Sequence, residues 1–119
     1  MGFRVAGSPP RPSRTPRGAR LVIIGWCEFD LLFGDVHSLK QKRSVVRPLV
    51  AELRRRFDVS VAEVGAQQLY RRAGIGVGLV GSDAAHVREV LDACERLVAG
   101  HPEFDLLAAR TRLIDAEDM

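Results

Sequence analysis

This chain has few cysteines and few aromatic residues, and it has no long apolar run. The two cysteines, Cys27 and Cys94, lie far apart and have neither Cys-x-x-Cys spacing nor a nearby histidine, which argues against a disulfide framework, a metal site or a nucleophile. No segment approaches the roughly 20 apolar residues of a membrane span. The short apolar run at residues 21–27 is followed by Glu28 and Asp30, unlike a signal peptide. We therefore expect buried, inert thiols in a cytoplasmic protein without a membrane partner.

Acidic residues are absent from the first twenty positions, and this absence explains the basic balance of the whole chain. The protein has 18 basic and 15 acidic residues. Five arginines and four of the six prolines fall in residues 1–20, which leaves 13 basic against 15 acidic residues in the rest. Pro/Arg-rich composition of this kind predicts a disordered tail over residues 1–20, which either adds attraction to polyanions or has no role. The remainder predicts one nearly neutral domain over residues 21–113 and a short acidic tail over residues 114–119.

Hydrophobic periodicity predicts four strands and two helices. The expected strands are Leu21–Phe33, Val59–Val64, Ala73–Val80 and Phe104–Leu113, and the expected helices run from Ser38 to Arg56 and from Ser82 or Asp83 to Gly100. The order strand, helix, strand, strand, helix, strand is that of an α+β, ferredoxin-like fold. We expect a four-stranded antiparallel sheet with both helices on one face, since both crossovers are right-handed.

The first helix begins with a dense cluster of cations. Ser38 is a good N-cap, and Gln41 three residues later completes a capping-box pattern. Pro48 points away from the apolar stripe, which favours a bent but continuous helix. Cations at a helix N-terminus are unfavourable by about 0.3–1 kcal/mol each, because the macrodipole favours anions there. The segment Ser38–Arg43 is therefore expected to attract phosphate or carboxylate groups.

Three elements of this sequence resemble the YlxP-like family of small, uncharacterised bacterial proteins. They are Ser-Leu-Lys-Gln-Lys-Arg at 38–43, Arg-Phe-Asp-Val-Ser-Val-Ala-Glu-Val at 56–64 and Arg-Ala-Gly-Ile-Gly-Val at 72–77. The resemblance implies a ferredoxin-like fold and a role near the ribosome, because the family's genes commonly lie beside those of ribosome-maturation factors. It implies no reaction. Gln68 and Tyr70 depart from the family pattern, in which an acid and a Trp are usual.

Two groups of residues are candidates for binding. The predicted nucleic-acid-binding cations are Lys40, Lys42, Arg43, Arg47, Arg54, Arg71 and Arg72. A predicted interface on the open sheet face consists of Trp26, Gly74, Gly76 and Gly78. The alternatives are a solvated helix face, a strand-edge guard at Arg71 and Arg72, and glycines that pack under a neighbouring side chain.

The same pattern gives no reason to expect catalysis, a metal ion or a cofactor. Gly76 to Gly81 spells G-x-G-x-x-G, but the glycines fall inside a predicted strand rather than between a strand and a helix, so no dinucleotide site is expected. We hypothesise a non-enzymatic accessory protein that binds ribosomal RNA or the small ribosomal subunit through phosphate contacts. The alternative is a homodimeric regulatory or ligand-binding module that uses the open sheet face.

Overall fold

The computed structural model describes residues 21–115 and contains six elements. In chain order these are β1 (Ile23–Phe33), α1 (Leu39–Phe57), β2 (Ser60–Glu63), β3 (Arg72–Gly81), α2 (Ala84–Ala99) and β4 (Phe104–Asp115). The strand order is β2-β3-β1-β4, and every neighbouring pair is antiparallel. The predicted ferredoxin-like architecture is confirmed. The tail predictions for residues 1–20 and 116–119 lie outside the described residues, and β4 runs two residues beyond its expected end.

The core lies between the two helices and one face of the sheet. Alternate residues of β1 are buried from Ile23 to Phe33, as expected for a strand with one covered face. The apolar stripes of both helices meet this face, with Val46, Leu49 and Leu53 buried on α1. No helix of residues 21–115 covers the other face of the sheet, which carries Trp26 and the β3 glycines.

Local sequence signals account for the N-termini of both helices. The Ser38 side chain accepts a hydrogen bond from the Gln41 N–H, as predicted for an N-cap. The Gln41 side chain accepts from the N–H of His37 at 2.6 Å rather than from that of Ser38, so the reciprocal bond is displaced by one residue. Asp83, not Ser82, caps α2 by accepting from the Ala85 N–H. The helix α1 is continuous through Pro48, as expected.

Candidate nucleic-acid interface

The outer face of α1 presents a row of exposed cations. Lys40, Arg43 and Arg47 lie together on this face, because residues three or four apart are neighbours on a helix. With Ser44 and Pro48 they line a shallow depression of about 420 Å³. Within residues 21–115, no carboxylate lies within ion-pair distance of any of the three cations. Their charge is therefore available to an external anion.

Charge is strongly segregated within the described residues. The helix α1 carries seven basic residues and a single acid, Glu52, which pairs with Arg56 at 3.6 Å. Residues 21–115 as a whole carry 13 basic and 13 acidic residues, so α1 contributes a formal +6 and the remainder −6. A neutral domain with this distribution has one strongly positive side, which can attract a polyanion despite the balanced total.

Two further cations extend this face towards the end of α1. Arg54, a predicted site residue, donates from its guanidinium to the Val61 carbonyl at 2.7 Å, which ties it to β2 and leaves part of its donor capacity free. Arg55 is exposed on the same helix face and was not among the predicted site residues. The 100° spacing places it about 60° from Lys40, so the sequence did contain this signal.

Lys42 lies in the core rather than on the basic face. The residue is 1% exposed, so it does not present its charge to a phosphate backbone, contrary to the prediction. The helical period explains the burial, since Lys42 precedes Val46 by four residues and Leu49 by seven. It therefore occupies a position of the apolar stripe itself. The spacing that shows this was already visible in the sequence.

Four oxygen atoms surround the buried ammonium of Lys42. It donates to the carbonyls of Ala66 at 3.0 Å, Arg72 at 3.2 Å and Gln67 at 3.3 Å. The Glu63 carboxylate lies at 3.2 Å, and this buried Oε2 has no hydrogen-bond partner otherwise. A buried charge is tolerated when it is paired and its donors are satisfied. The helix thus holds both ends of the loop between β2 and β3 through one side chain. We call residues 65–71 the β2–β3 loop.

The two predicted arginines beside this loop are placed near the first turn of α1. Arg71 donates from Nε to the Phe33 carbonyl at 2.9 Å, while its side chain remains exposed. Arg72 supplies one of the carbonyls bound by Lys42 and is exposed as well. The alternative of a strand-edge guard stays open for this pair, because Arg72 pairs with Leu32 of β1 but lies beyond the part of β3 that pairs with β2.

The β3 glycines differ in what covers them. A Cβ at Gly74 would lie 2.0 Å from the Val64 carbonyl oxygen, so Gly74 is required by close approach of the chain's own backbone. A Cβ at Gly76 would touch the Val64 side chain at 3.3 Å, whereas at Gly78 the nearest atom of the described residues would be the Gly25 carbonyl oxygen at 3.7 Å. Gly74 is buried by its own domain, so only Gly76 and Gly78 of the predicted glycine strip remain for an interface.

A shallow groove of about 520 Å³ lies on the open sheet face beside these glycines. Trp26, half-buried, and Val64 form its walls over Gly76 and Gly78. The neighbouring carboxylates are partly neutralised, because Arg110 lies 3.6 Å from Glu28 and 3.4 Å from Asp30. The groove is thus an apolar surface at the side of the sheet opposite α1.

Both thiols are buried, as predicted. Burial raises the pKa of Cys27 to about 12 and that of Cys94 to about 11, because a thiolate would lose its hydration in the core. For Cys27, the neighbouring Cys94, Glu95 and Asp92 add smaller effects in the same direction. Thiols with such high pKa values are not activated nucleophiles.

Comparisons with known proteins match this chain to a family of unknown function. A family model described as "Protein of unknown function (DUF503)" matches residues 24–111. A Bacillus subtilis relative described as "Uncharacterized protein YlxP" is 28% identical over 89 residues, which cover 75% of this chain and 97% of that protein. No helix in the described part of the chain is both long enough and apolar enough to cross a membrane.

Proposed function

The chain belongs to the DUF503 family of proteins of unknown function, as the resemblance to YlxP-like proteins implied, and we propose that it is a non-enzymatic, cytoplasmic accessory protein that binds ribosomal RNA through α1. The contacts are made by Lys40, Arg43, Arg47 and Arg54, together with Arg55. Arg71 and Arg72 lie beside the first turn and extend the basic surface. Lys42 is part of the scaffold and not of the contact surface.

The observation that carries this proposal is the outer face of α1, where Lys40, Arg43 and Arg47 have no carboxylate partner within residues 21–115. The first turn of the helix contains no acid to offset these cations. Repulsion among like charges, and between them and the helix N-terminus, is relieved when phosphates bind. A helix face with this arrangement of cations is therefore suited to binding a polyanion.

Phosphate contacts, rather than base contacts, fit this helix face. The only aromatic residue of α1 is Phe57 at its end, and the exposed face consists of long cationic side chains with Ser44 and Ala51 between them. Arginine and lysine contacts to phosphate position a protein on RNA without reading its sequence. The proposed role is therefore one of positioning on structured RNA, such as that of the small ribosomal subunit.

A charge-reversal experiment tests the proposal. The variant Arg43→Glu/Arg47→Glu is compared with Arg88→Glu/Arg96→Glu, which changes the net charge equally through two exposed arginines of α2. Binding to ribosomal RNA is measured by fluorescence anisotropy over a range of salt concentrations. We expect the α1 variant to bind more weakly and its salt slope to fall by about 1.4, or roughly 0.7 for each lost single-strand phosphate contact. Equal binding by the two variants contradicts the proposal.

A second candidate is a homodimer formed through the open sheet face, and the apolar groove at Trp26, Gly76 and Gly78 favours it. Gly78→Arg is the suitable test, because this position has room for a Cβ and a long side chain would block the groove. A concentration-dependent dimer that is lost in this variant, together with absent RNA binding, supports the second candidate.

A further inference from the structure

We infer that the β2–β3 loop forms a stacking site for an unpaired RNA base, with Tyr70 as the platform. The inference deepens the proposed function and rests on it: it names single-stranded segments within folded RNA as the ligand of the basic surface. The evidence comes from the way the loop is held, from what it exposes and from its charge.

The loop is held in one conformation by an internal cation. The Lys42 ammonium binds the carbonyls of Ala66 and Gln67 on one side of the loop tip and that of Arg72 on the other. Gly65 and Ala66 adopt left-handed backbone conformations, with φ of 70° and 55°, which is uncommon for Ala. The N–H of Leu69 donates to the Ala66 carbonyl at 3.1 Å and closes a turn. A loop fixed at both ends projects its tip in a defined direction.

The projected tip consists of two large, exposed side chains. Leu69 is 55% exposed and Tyr70 is 50% exposed. Among the Phe, Trp and Tyr residues of the described chain, only Tyr70 is exposed, whereas Trp26 and Phe57 are half-buried. Exposed apolar side chains on a well-held loop mark a contact surface rather than a solvated linker.

The charge around the tip favours RNA over a protein as the ligand. Residues 64–72 contain Arg71 and Arg72 and no acid. Both arginines are exposed and directly follow Tyr70 in the chain, so the cations next to the ring come from the loop and the start of β3. An aromatic ring bordered by cations is the arrangement that binds single strands, since the bases stack and the phosphates pair. Bases within a duplex are stacked on each other and cannot use such a ring.

The experiment compares two probes and two variants of the full chain. The probes are an RNA hairpin with an unpaired loop and a blunt RNA duplex that carries the same number of phosphates. The variants are Tyr70→Ala, which removes the ring, and Tyr70→Phe, which keeps it and loses only the hydroxyl. Binding is measured by anisotropy at several salt concentrations, and folding is verified by thermal unfolding.

We expect the wild-type protein to prefer the hairpin and Tyr70→Ala to lose roughly 5- to 100-fold in hairpin affinity, the range found for removal of one base-stacking aromatic residue. The salt slope should stay unchanged, because no phosphate contact is removed. Tyr70→Phe should bind as the wild type does, and duplex binding should be equal for all three proteins.

Three results overturn the stacking site. Equal hairpin binding by Tyr70→Ala and the wild type leaves phosphate binding by α1 intact and assigns the loop tip to a protein contact. An equal loss of hairpin affinity in Tyr70→Phe and Tyr70→Ala shows that the Tyr70 hydroxyl, and not the ring, makes the contact. Absence of any RNA binding by the wild-type protein removes the proposed function as well, so the two failures are distinguishable.

Discussion

Lys42 shows how the role of a residue depends on which side of a helix it occupies. Lys40 and Lys42 are two positions apart, yet Lys40 is exposed and Lys42 is 1% exposed. A separation of two residues is about 200° around a helix, so the two side chains leave on opposite sides. The first is available to a ligand, whereas the second binds Glu63 and three loop carbonyls.

We predict that Lys42→Met destabilises the protein by about 3 kcal/mol, near the lower end of the range for breaking a buried ion pair. The methionine is similar in length but leaves the Glu63 carboxylate and three carbonyls without their donor. The lower end applies because the Glu63 side chain retains 22% exposure. The free energy of unfolding is measured by urea titration.

The matched control is Lys40→Met, which changes the same residue type on the exposed side of the same helix turn. It should alter stability by no more than about 0.5 kcal/mol, as surface substitutions usually do. A similar loss in both variants would show that the oxygen atoms around Lys42 contribute nothing specific.

Helix α1 combines a capped N-terminus with an internal defect. Ser38 and Gln41 satisfy the first turn through side-chain bonds, whereas Pro48 lies inside the helix and has no N–H to donate to the Ser44 carbonyl. Pro48 is exposed and borders the depression formed by Lys40, Arg43 and Arg47. The predicted bend at this position stays a prediction.

We predict that Pro48→Ala stabilises the protein by about 1–3 kcal/mol, because the helix regains one backbone hydrogen bond and loses a steric clash. Thermal unfolding measures the change. Ala51→Gly, a change about one turn later in the same helix, is the control and should destabilise the protein. RNA binding by Pro48→Ala should fall if the local shape at Pro48 positions the cations. Destabilisation by Pro48→Ala would contradict this account of the helix.

At the scale of the whole molecule, the described domain has a positive side and a core in which Lys42 is the one buried charged residue among residues 21–115. The formal charge of +6 on α1 is balanced by −6 on the other described residues. The described domain is therefore neutral in total, but its positive charge is concentrated on α1. The core between the sheet and the helices contains Cys27 on β1 and Cys94 on α2, both fully buried. The titration of these thiols therefore reports on the integrity of the single core.

We predict that stability falls as the pH rises above 9. The pKa of Cys27 rises to about 12 and that of Cys94 to about 11 in the folded protein, from 9.0 for an exposed thiol. Because the folded state holds these protons more tightly, the stabilisation is complete below pH 9 and is lost as the pH rises through the folded-state pKa values. Urea titrations at a series of alkaline pH values measure this decline.

Comparison with Cys94→Ala separates the contribution of this thiol from every other pH-dependent effect on stability. The variant should lose less stability between pH 9 and pH 11 than the wild type does, whatever its stability at neutral pH. Parallel curves for the two proteins would show that the Cys94 thiol does not contribute to the alkaline decline.

The sequence by itself determined the order of elements, the Ser38 cap of α1 and the two apolar stripes, because these depend on local spacing that a single chain displays. It also placed Lys40, Arg43 and Arg47 on one helix face, since 3.6-residue periodicity is a property of the helix alone. The predicted strand ends differed from the structure by up to two residues, as at Asp115. Strand ends depend on pairing partners that are distant in sequence.

Helical spacing was enough to place Lys42 on the apolar stripe, but only the tertiary structure decided which atoms its ammonium binds and why Gly74 has no room for a side chain. Lys42 needs oxygen atoms from residues 63–72, and Gly74 needs the Val64 carbonyl, so both roles arise where the β2–β3 loop folds back. A sequence pattern records which residues alternate or recur, but it does not record which distant backbone atoms will converge on one side chain. Convergence of that kind requires the sheet register and the packing of α1 to be fixed first.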